Sequence, residues 1–183
     1  MSIFGAFPFA FLMIVRIAQL IGGGVDLLGI LLTGQAGMAA FCMIFRHRAS
    51  SEARLPVQIL AWVSAILPLA IQTTREGWGW LATPGLFLVL WSMWSLSSSF
   101  SIAPAARRLI MRGPYRFIRH PMYTGEILSL SGACAASLTP WNLYVLLVFI
   151  ASICVRVAAE EALFKNYSIY ANLVKWRLVP GVW

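Results

Sequence analysis

Two stretches of the chain carry the residues whose types and spacing could do chemistry. Arg107 to Tyr123 reads RRLIMRGPYRFIRHPMY and gathers five arginines with Tyr115, His120, Tyr123, Pro114 and Pro121. Arg156, Glu160 and Glu161 form a second cluster. The two prolines bar a continuous helix and push Gly113 and His120 towards extended backbone, so the first stretch is predicted to be a shaped loop. Such a loop exposes backbone N–H and C=O groups that can hold an adenine edge, ribose hydroxyls or a carboxylate. In the second stretch the four-residue spacing predicts that Arg156 and Glu160 project together from one helix face, with Glu161 rotated towards water. The guanidinium is a preformed clamp for a carboxylate or phosphate, and the carboxylate beside it suits an ammonium or a ribose.

The elements that must position these residues are read as membrane helices. Of 183 residues, 60% are hydrophobic and 11% charged, against roughly 25% charged in a soluble domain. This excludes a water-soluble enzyme, a disordered tail and a disulfide-stapled secreted module, and the length predicts one domain over 1–183. With about 20 apolar residues per span, the candidate spans are 3–21, 25–45, 57–74, 80–101, 122–138 and 141–159. The fold class is therefore all-α, a polytopic transmembrane bundle of about six spans. The count falls to five if the first two segments, interrupted by Arg16, Gly22 to Gly24 and Asp26, form a re-entrant hairpin. Met1 to Val15 carries no charge, so the first segment is read as a retained helix rather than a signal peptide. Arg16 and Asp26 are expected to pair within that hairpin.

The net charge of +8 fits membrane topology better than nucleic acid, because the bases lie between apolar stretches. Arg46, Arg48 and Arg54 follow the second span, the five arginines of 107–119 follow the fourth, and Arg156, Lys165, Lys175 and Arg177 close the sixth. That distribution places both termini and the basic loops in the cytoplasm, with Arg75 on the other side. Trp78, Trp80, Trp141, Trp176 and Trp183 lie near predicted span ends as interfacial anchors. Gly125, Ser129, Ala133 and Ser137 make a small-residue stripe that lets another helix approach closely. Cys42, Cys134 and Cys154 stand apart in apolar runs and are read as core thiols, and with only His47 and His120 no metal site is legible.

The run Gly113, Pro114, Tyr115, Arg116, Arg119, His120, Pro121, Tyr123 and Gly125, followed by Arg156, Glu160, Glu161, Tyr167, Tyr170 and Pro180, resembles the isoprenylcysteine carboxyl methyltransferase family and its phospholipid methyltransferase relatives. The resemblance covers about 97–183. It implies that 1–100 supplies N-terminal helices while 101–183 is the catalytic half, which binds S-adenosyl-L-methionine in a cytoplasm-facing pocket. A lipid-like or small apolar acceptor would enter from the bilayer, in a bacterial inner membrane. Carried over by residue, Tyr115, His120, Pro121, Met122 and Tyr123 would line the cofactor, with backbone groups of Arg107 to Ile110, Leu109 and Ile110 among them. Glu160 would hold its polar end and Arg156 would face the acceptor. The interval from Glu161 to Tyr167 is shorter than in many members and lacks their Phe-Gly, which predicts a differently folded C-terminal lid.

A carboxylate acceptor needs no base at neutral pH, so Arg156 would only orient it. An amine or thiol acceptor needs proton removal, and His120 or Glu160 are then the nearest candidates. Glu126 is an intramembrane acid, a functional hypothesis by default or a partner for a loop arginine. Arg119 is read as structural support, and the Arg107/Arg108 pair as a headgroup or topology signal. Tyr167 and Tyr170 fit equally an interfacial helix and a cofactor lid. Two rival functions stay open: an NADPH-dependent membrane reductase of sterol-reductase-like fold, and a non-enzymatic lipid-binding membrane protein.

Overall fold

The computed structural model describes residues 2–72, 79–106, 109–164 and 167–183. The readings placed on Arg75, Trp78, Arg107, Arg108 and Lys165 fall outside them.

Among the described residues, seven α-helices predominate: α1 Ser2–Gly23, α2 Leu27–Ile44, α3 Leu55–Ile66, α4 Thr83–Leu96, α5 Pro121–Ala136, α6 Pro140–Leu163 and α7 Tyr167–Leu173. Proline punctuates them. Pro occupies the first turn of α3, α4, α5 and α6, where its missing N–H costs no helical bond and its fixed φ suits helix entry. Thr139 reinforces the start of α6, its side chain accepting from the Asn142 amide at 3.1 Å.

Among the described residues, four segments are long and apolar enough to cross a membrane: Gly5–Gly23, Leu27–Ile44, Trp80–Ser99 and Pro140–Leu163. The chain is thus an all-α integral membrane protein. α3, extended by a 3-10 turn at Leu67–Ala70, and α5 are shorter. At 1.5 Å per residue, the 16 residues of α5 reach about 24 Å, less than a typical hydrocarbon core of about 30 Å. The first two segments form full helices, and the glycine run between them ends α1, with Gly24 at φ +92°. Arg16 does not pair with Asp26; it donates to Gln19 one turn along at 3.2 Å, a partner within reach on its own helix face.

α1 packs on α2, α2 on α4, α4 on α5, and α6 on both α5 and α3. α5 comes into backbone contact with α4 and with the 3-10 turn Gly79–Ala82 before it. A Cβ added at Gly85 would collide with the backbone of Gly125 and Ser129, and one at Gly132 with the backbone of Leu81 and Ala82. The small-residue stripe therefore brings two backbones together, using Gly132 rather than only the four-residue series. Asn142, fully buried, ties the far end of the bundle by donating to the Gln72 and Ser137 carbonyls at 2.8 and 2.6 Å.

One short sheet was not expected. β1 Ser51–Glu52 pairs antiparallel with β2 Ala105–Ala106, and His47 donates its amide to Ser98 at 2.8 Å. These bonds bring the connection after α2 and the connection after α4 to one end of the bundle. Cys42 and Cys134 are buried free thiols, while Cys154 is half-buried.

Candidate functional site

The loop before α5 is built on a 3-10 turn and a glycine. Gly113 opens a 3-10 turn at Gly113–Arg116 with φ +59°, so it adopts left-handed rather than extended backbone. Glycine allows this at no steric cost, and the reason is local: a side chain here would strike Ser95 of α4. Arg112 pins the same corner by donating to the Ser95 carbonyl at 3.1 Å. The chain then passes through Arg119 and His120 and enters α5 at Pro121; His120, at φ −127° and ψ 58°, is not in the extended backbone that the following proline was expected to impose.

This segment is held by the C-terminal strap. Ile118 bridges Trp176 in parallel, Arg119 N donates to Trp176 O at 2.8 Å and His120 N to Arg177 O at 2.9 Å. Thr124 Oγ1 adds a bond to Leu178 O at 2.8 Å. Glu161 sits beneath this strap as an ionic hub. Arg177 donates to both of its carboxylate oxygens, Arg119 Nη1 lies 3.1 Å from Oε1, and His120 Nε2 lies 3.3 Å from the same oxygen. Glu161 therefore does not face water. Rotation away from Glu160 turns it towards three basic groups that the folded-back strap and the loop supply. Arg119 also donates from Nη2 to the Lys175 carbonyl at 2.9 Å, which ties the loop to the C-terminal segment.

His120, 7% exposed, stands between the two acids, with Nδ1 3.4 Å from Glu160 Oε2 and Nε2 also 3.2 Å from the Tyr167 hydroxyl. Burial pushes its pKa down, but the hydrogen bonds and charges of Glu160 and Glu161 outweigh burial and raise it above 6.5. The tyrosines around it are locked in the neutral form. Burial, helped by the Glu160 charge, holds Tyr115 well above its usual range, and burial pushes Tyr170 up to about 12. Tyr170 donates to the Tyr115 carbonyl at 2.8 Å, and α7 packs both its tyrosines over the site.

A small cavity of about 90 Å³ opens between these groups, lined by Leu109, Ile110, Tyr115, His120, Met122, Tyr123 and Glu160, with Arg119, Tyr167 and Tyr170. Pro121 is buried at the start of α5 and is not part of the lining. Leu96, Ser99, Ser101, Ala105 and Phe164 complete the wall. The sequence reading missed these five, because nothing in a serine-rich helix end or a lone Phe distinguishes a cavity wall from a helix terminus.

Arg156 and Glu160 part company. Arg156, 2% exposed, turns into the bundle, where Nη1 donates to Ser64 at 3.1 Å and Nη2 to the Ile102 carbonyl at 2.9 Å. Its guanidinium stacks 4.7 Å from the Tyr123 ring centroid, and Glu126 Oε2 lies 4.0 Å from Nη1. A buried cation needs such acceptors and a counter-charge, and α3, α5 and the 101–106 segment offer them where the loop does not. Glu126 thus pairs with an arginine of α6, not with one of the loop. Both residues line a second, larger cavity of about 430 Å³ between the helices, whose other walls are mostly apolar. Met122 lines both cavities. Four buried side-chain atoms have no hydrogen-bond partner among the described residues: Arg119 Nε, Tyr123 Oη, Glu126 Oε2 and Arg156 Nε.

No curated protein sequence matches the chain. The phospholipid methyltransferase family model matches residues 78–172, a stretch of just over half the chain that contains the loop, both acids, Arg156 and both cavities' α5 and α6 walls. By that match this integral membrane protein belongs to the phospholipid methyltransferase family.

Proposed function

We propose that the protein is a membrane methyltransferase that uses S-adenosyl-L-methionine as methyl donor, bound in the small cavity, and acts on a lipid-like or small apolar acceptor in the larger one. The observation that carries this reading is that two cavities share Met122, one lined by Tyr115, Tyr123, Tyr167 and Tyr170 beside His120 and Glu160, the other by mostly apolar helix faces around the Glu126 and Arg156 pair. The family's printed name makes a lipid acceptor the first class to consider. It does not favour the reductase or the non-enzymatic reading.

The donor set fits the proposed cofactor. Tyr123 Oη is buried without a partner, the Glu160 carboxylate is partly accessible in the same wall, and Leu96, Ile110, Met122 and Phe164 offer apolar surface. In this reading Glu160 meets the ammonium or ribose, Tyr123 offers a hydroxyl, and the backbone near Leu109 and Ile110 borders the adenine. At about 90 Å³ the cavity is below the roughly 300–1,000 Å³ of most ligand sites, so binding requires Tyr167 and Tyr170 of α7 to move outward. The bound group supplies an activated methyl on a sulfonium. The protein's share is alignment and exclusion of water: His120 fixes the Glu160 carboxylate, the tyrosines close the aqueous side, and the apolar walls keep the acceptor side dry.

The basic connections gathered at the end of the bundle that carries the small cavity are the basis for proposing a cytoplasmic site with both termini on that side, in a bacterial inner membrane. On this reading α3 with its 3-10 extension and α5 complete six spans.

Calorimetry of the purified protein with S-adenosylhomocysteine and with NADPH tests the assignment. Heat with S-adenosylhomocysteine alone is expected; heat with NADPH alone overturns it. Mass spectrometry of lipid extracts from cells with and without the protein then seeks a product heavier by one CH₂.

A further inference from the structure

Two of the unpartnered buried atoms belong to one place in the larger cavity, and they are of opposite kinds. Arg156 Nε is a donor without an acceptor and Glu126 Oε2 an acceptor without a donor, with that oxygen 4.0 Å from Nη1 of the same guanidinium. Both residues line the cavity, whose other walls are mostly apolar, including Leu86, Val89 and Phe149, with Arg16, Gln35 and Ser129 as its further polar residues. Buried groups of this sort are expensive to leave unsatisfied, and a ligand that completes them is selected accordingly.

We propose that the larger cavity binds an apolar molecule ending in a neutral protic group, a thiol in the first instance, and that Glu126 takes the proton of that group. The inference rests on the proposed methyltransferase reading and deepens it by naming the acceptor class.

Only a group that both donates and accepts meets both orphaned atoms. A carboxylate or phosphate accepts from Arg156 but has no hydrogen for Glu126 and brings a second negative charge beside it. An alkylamine is protonated at neutral pH and then has no lone pair for Arg156 Nε, a quaternary ammonium meets neither atom, and both face the guanidinium charge. The pair as a whole is neutral, and Arg16, the other charged residue of the lining, donates to Gln19 on its own helix, so the pair itself offers a net-charged headgroup no compensation. Among protic groups a thiol, with an ordinary pKa of about 8.5, gives up its proton to a carboxylate far more readily than an alkanol does. The balance of the step is closed: the S–H bond breaks, the proton passes to Glu126 Oε2, and the electron pair left on the acceptor sulfur forms the new bond to carbon. The sulfonium donor's carbon–sulfur bond electrons leave with its own sulfur. Arg156 remains charged and supports the carboxylate before the step.

Three single-chain probes, 1-decanethiol, decanoic acid and decyltrimethylammonium, are added at neutral pH to the full-length protein in detergent without any methyl donor, and its thermal unfolding is followed. The thiol is expected to raise the midpoint while the other two leave it unchanged. Preference for either charged probe, or no response to any of the three, overturns the proposal without recourse to a variant. Methylation of 1-decanethiol is then measured in Glu126→Gln, which keeps the side-chain shape and removes the base. kcat is expected to fall by about 100-fold, in the range of a lost general base, with KM changed by less than about threefold; transfer at the parental rate overturns the base role. If S-adenosylhomocysteine fails to bind, the methyltransferase reading itself falls, whatever the probe panel shows.

Discussion

Arg177 grips both carboxylate oxygens of Glu161, with Nε 3.0 Å from Oε1 and Nη2 3.0 Å from Oε2. The fork matches the carboxylate in the bidentate way that only arginine offers, and it joins the C-terminal segment to the end of α6. Since Glu161 also meets Arg119 and His120, one carboxylate organises the strap, the loop and the helix.

Removing that carboxylate while leaving its cations in place should be costly. Glu161→Ala is expected to destabilise the protein by about 3 kcal/mol, the lower range for breaking a largely buried pair. Arg177→Ala, whose side chain is 36% exposed, should cost about 1 kcal/mol or less. Thermal unfolding in detergent measures both, and equal losses would refute the hub assignment.

The strap should also respond to pH through His120. Its folded pKa is raised above 6.5 by Glu160 and Glu161 against the opposing effect of burial. A raised value contributes stability that is fully present below 6.5 and is lost as pH rises through the folded value. The imidazolium donates from both nitrogens, one to each acid, whereas the neutral ring can donate from one only. Protection from hydrogen exchange at 174–178, taken relative to the intrinsic rate at each pH, is therefore expected to be greatest below 6.5 and to fall as pH rises through the folded His120 value. His120→Gln should flatten that dependence; an unchanged profile in the variant would assign it elsewhere.

Glu160→Gln removes the one carboxylate accessible from the small cavity. On the proposed function, S-adenosylhomocysteine should bind about tenfold more weakly, the loss of one hydrogen bond to a charged group. Calorimetry reads this directly, and undiminished affinity would move the ligand's polar end away from Glu160.

The α4 and α5 contact predicts a steric result. Gly85→Ala places a methyl against the backbone of Gly125 and Ser129, atoms that cannot rotate aside. A loss of about 1–3 kcal/mol is expected from the forced separation. Gly22→Ala, where nothing lies within 4 Å, is the control and should be silent. Unfolding midpoints of the two variants decide it.

What could be read from the sequence follows the range of the interactions. Pro114 and Pro121 act on their own neighbours, so the shaped loop and the start of α5 were legible, and the apolar runs gave the helices. Glu161 was misplaced because helix periodicity fixes its angle from Glu160 but says nothing of Arg177, whose approach depends on a strap folding back over the loop. The same holds for Arg156: its partners Ser64 and Ile102 lie 92 and 54 residues away. Ser64 left one faint trace, a polar side chain inside the apolar run of α3. Gly113 escaped the preproline rule because glycine has a second, left-handed basin open to it, and Ser95 leaves room for nothing larger.

Met122 belongs to the walls of both cavities, and thermodynamic linkage follows from that position. A ligand that reorients its flexible thioether from one side reshapes the other side, and the free energy of that coupling is the same whichever ligand arrives first. Communication between a water-borne and an oil-borne reactant would then need no moving domain, only the rotamers of one side chain.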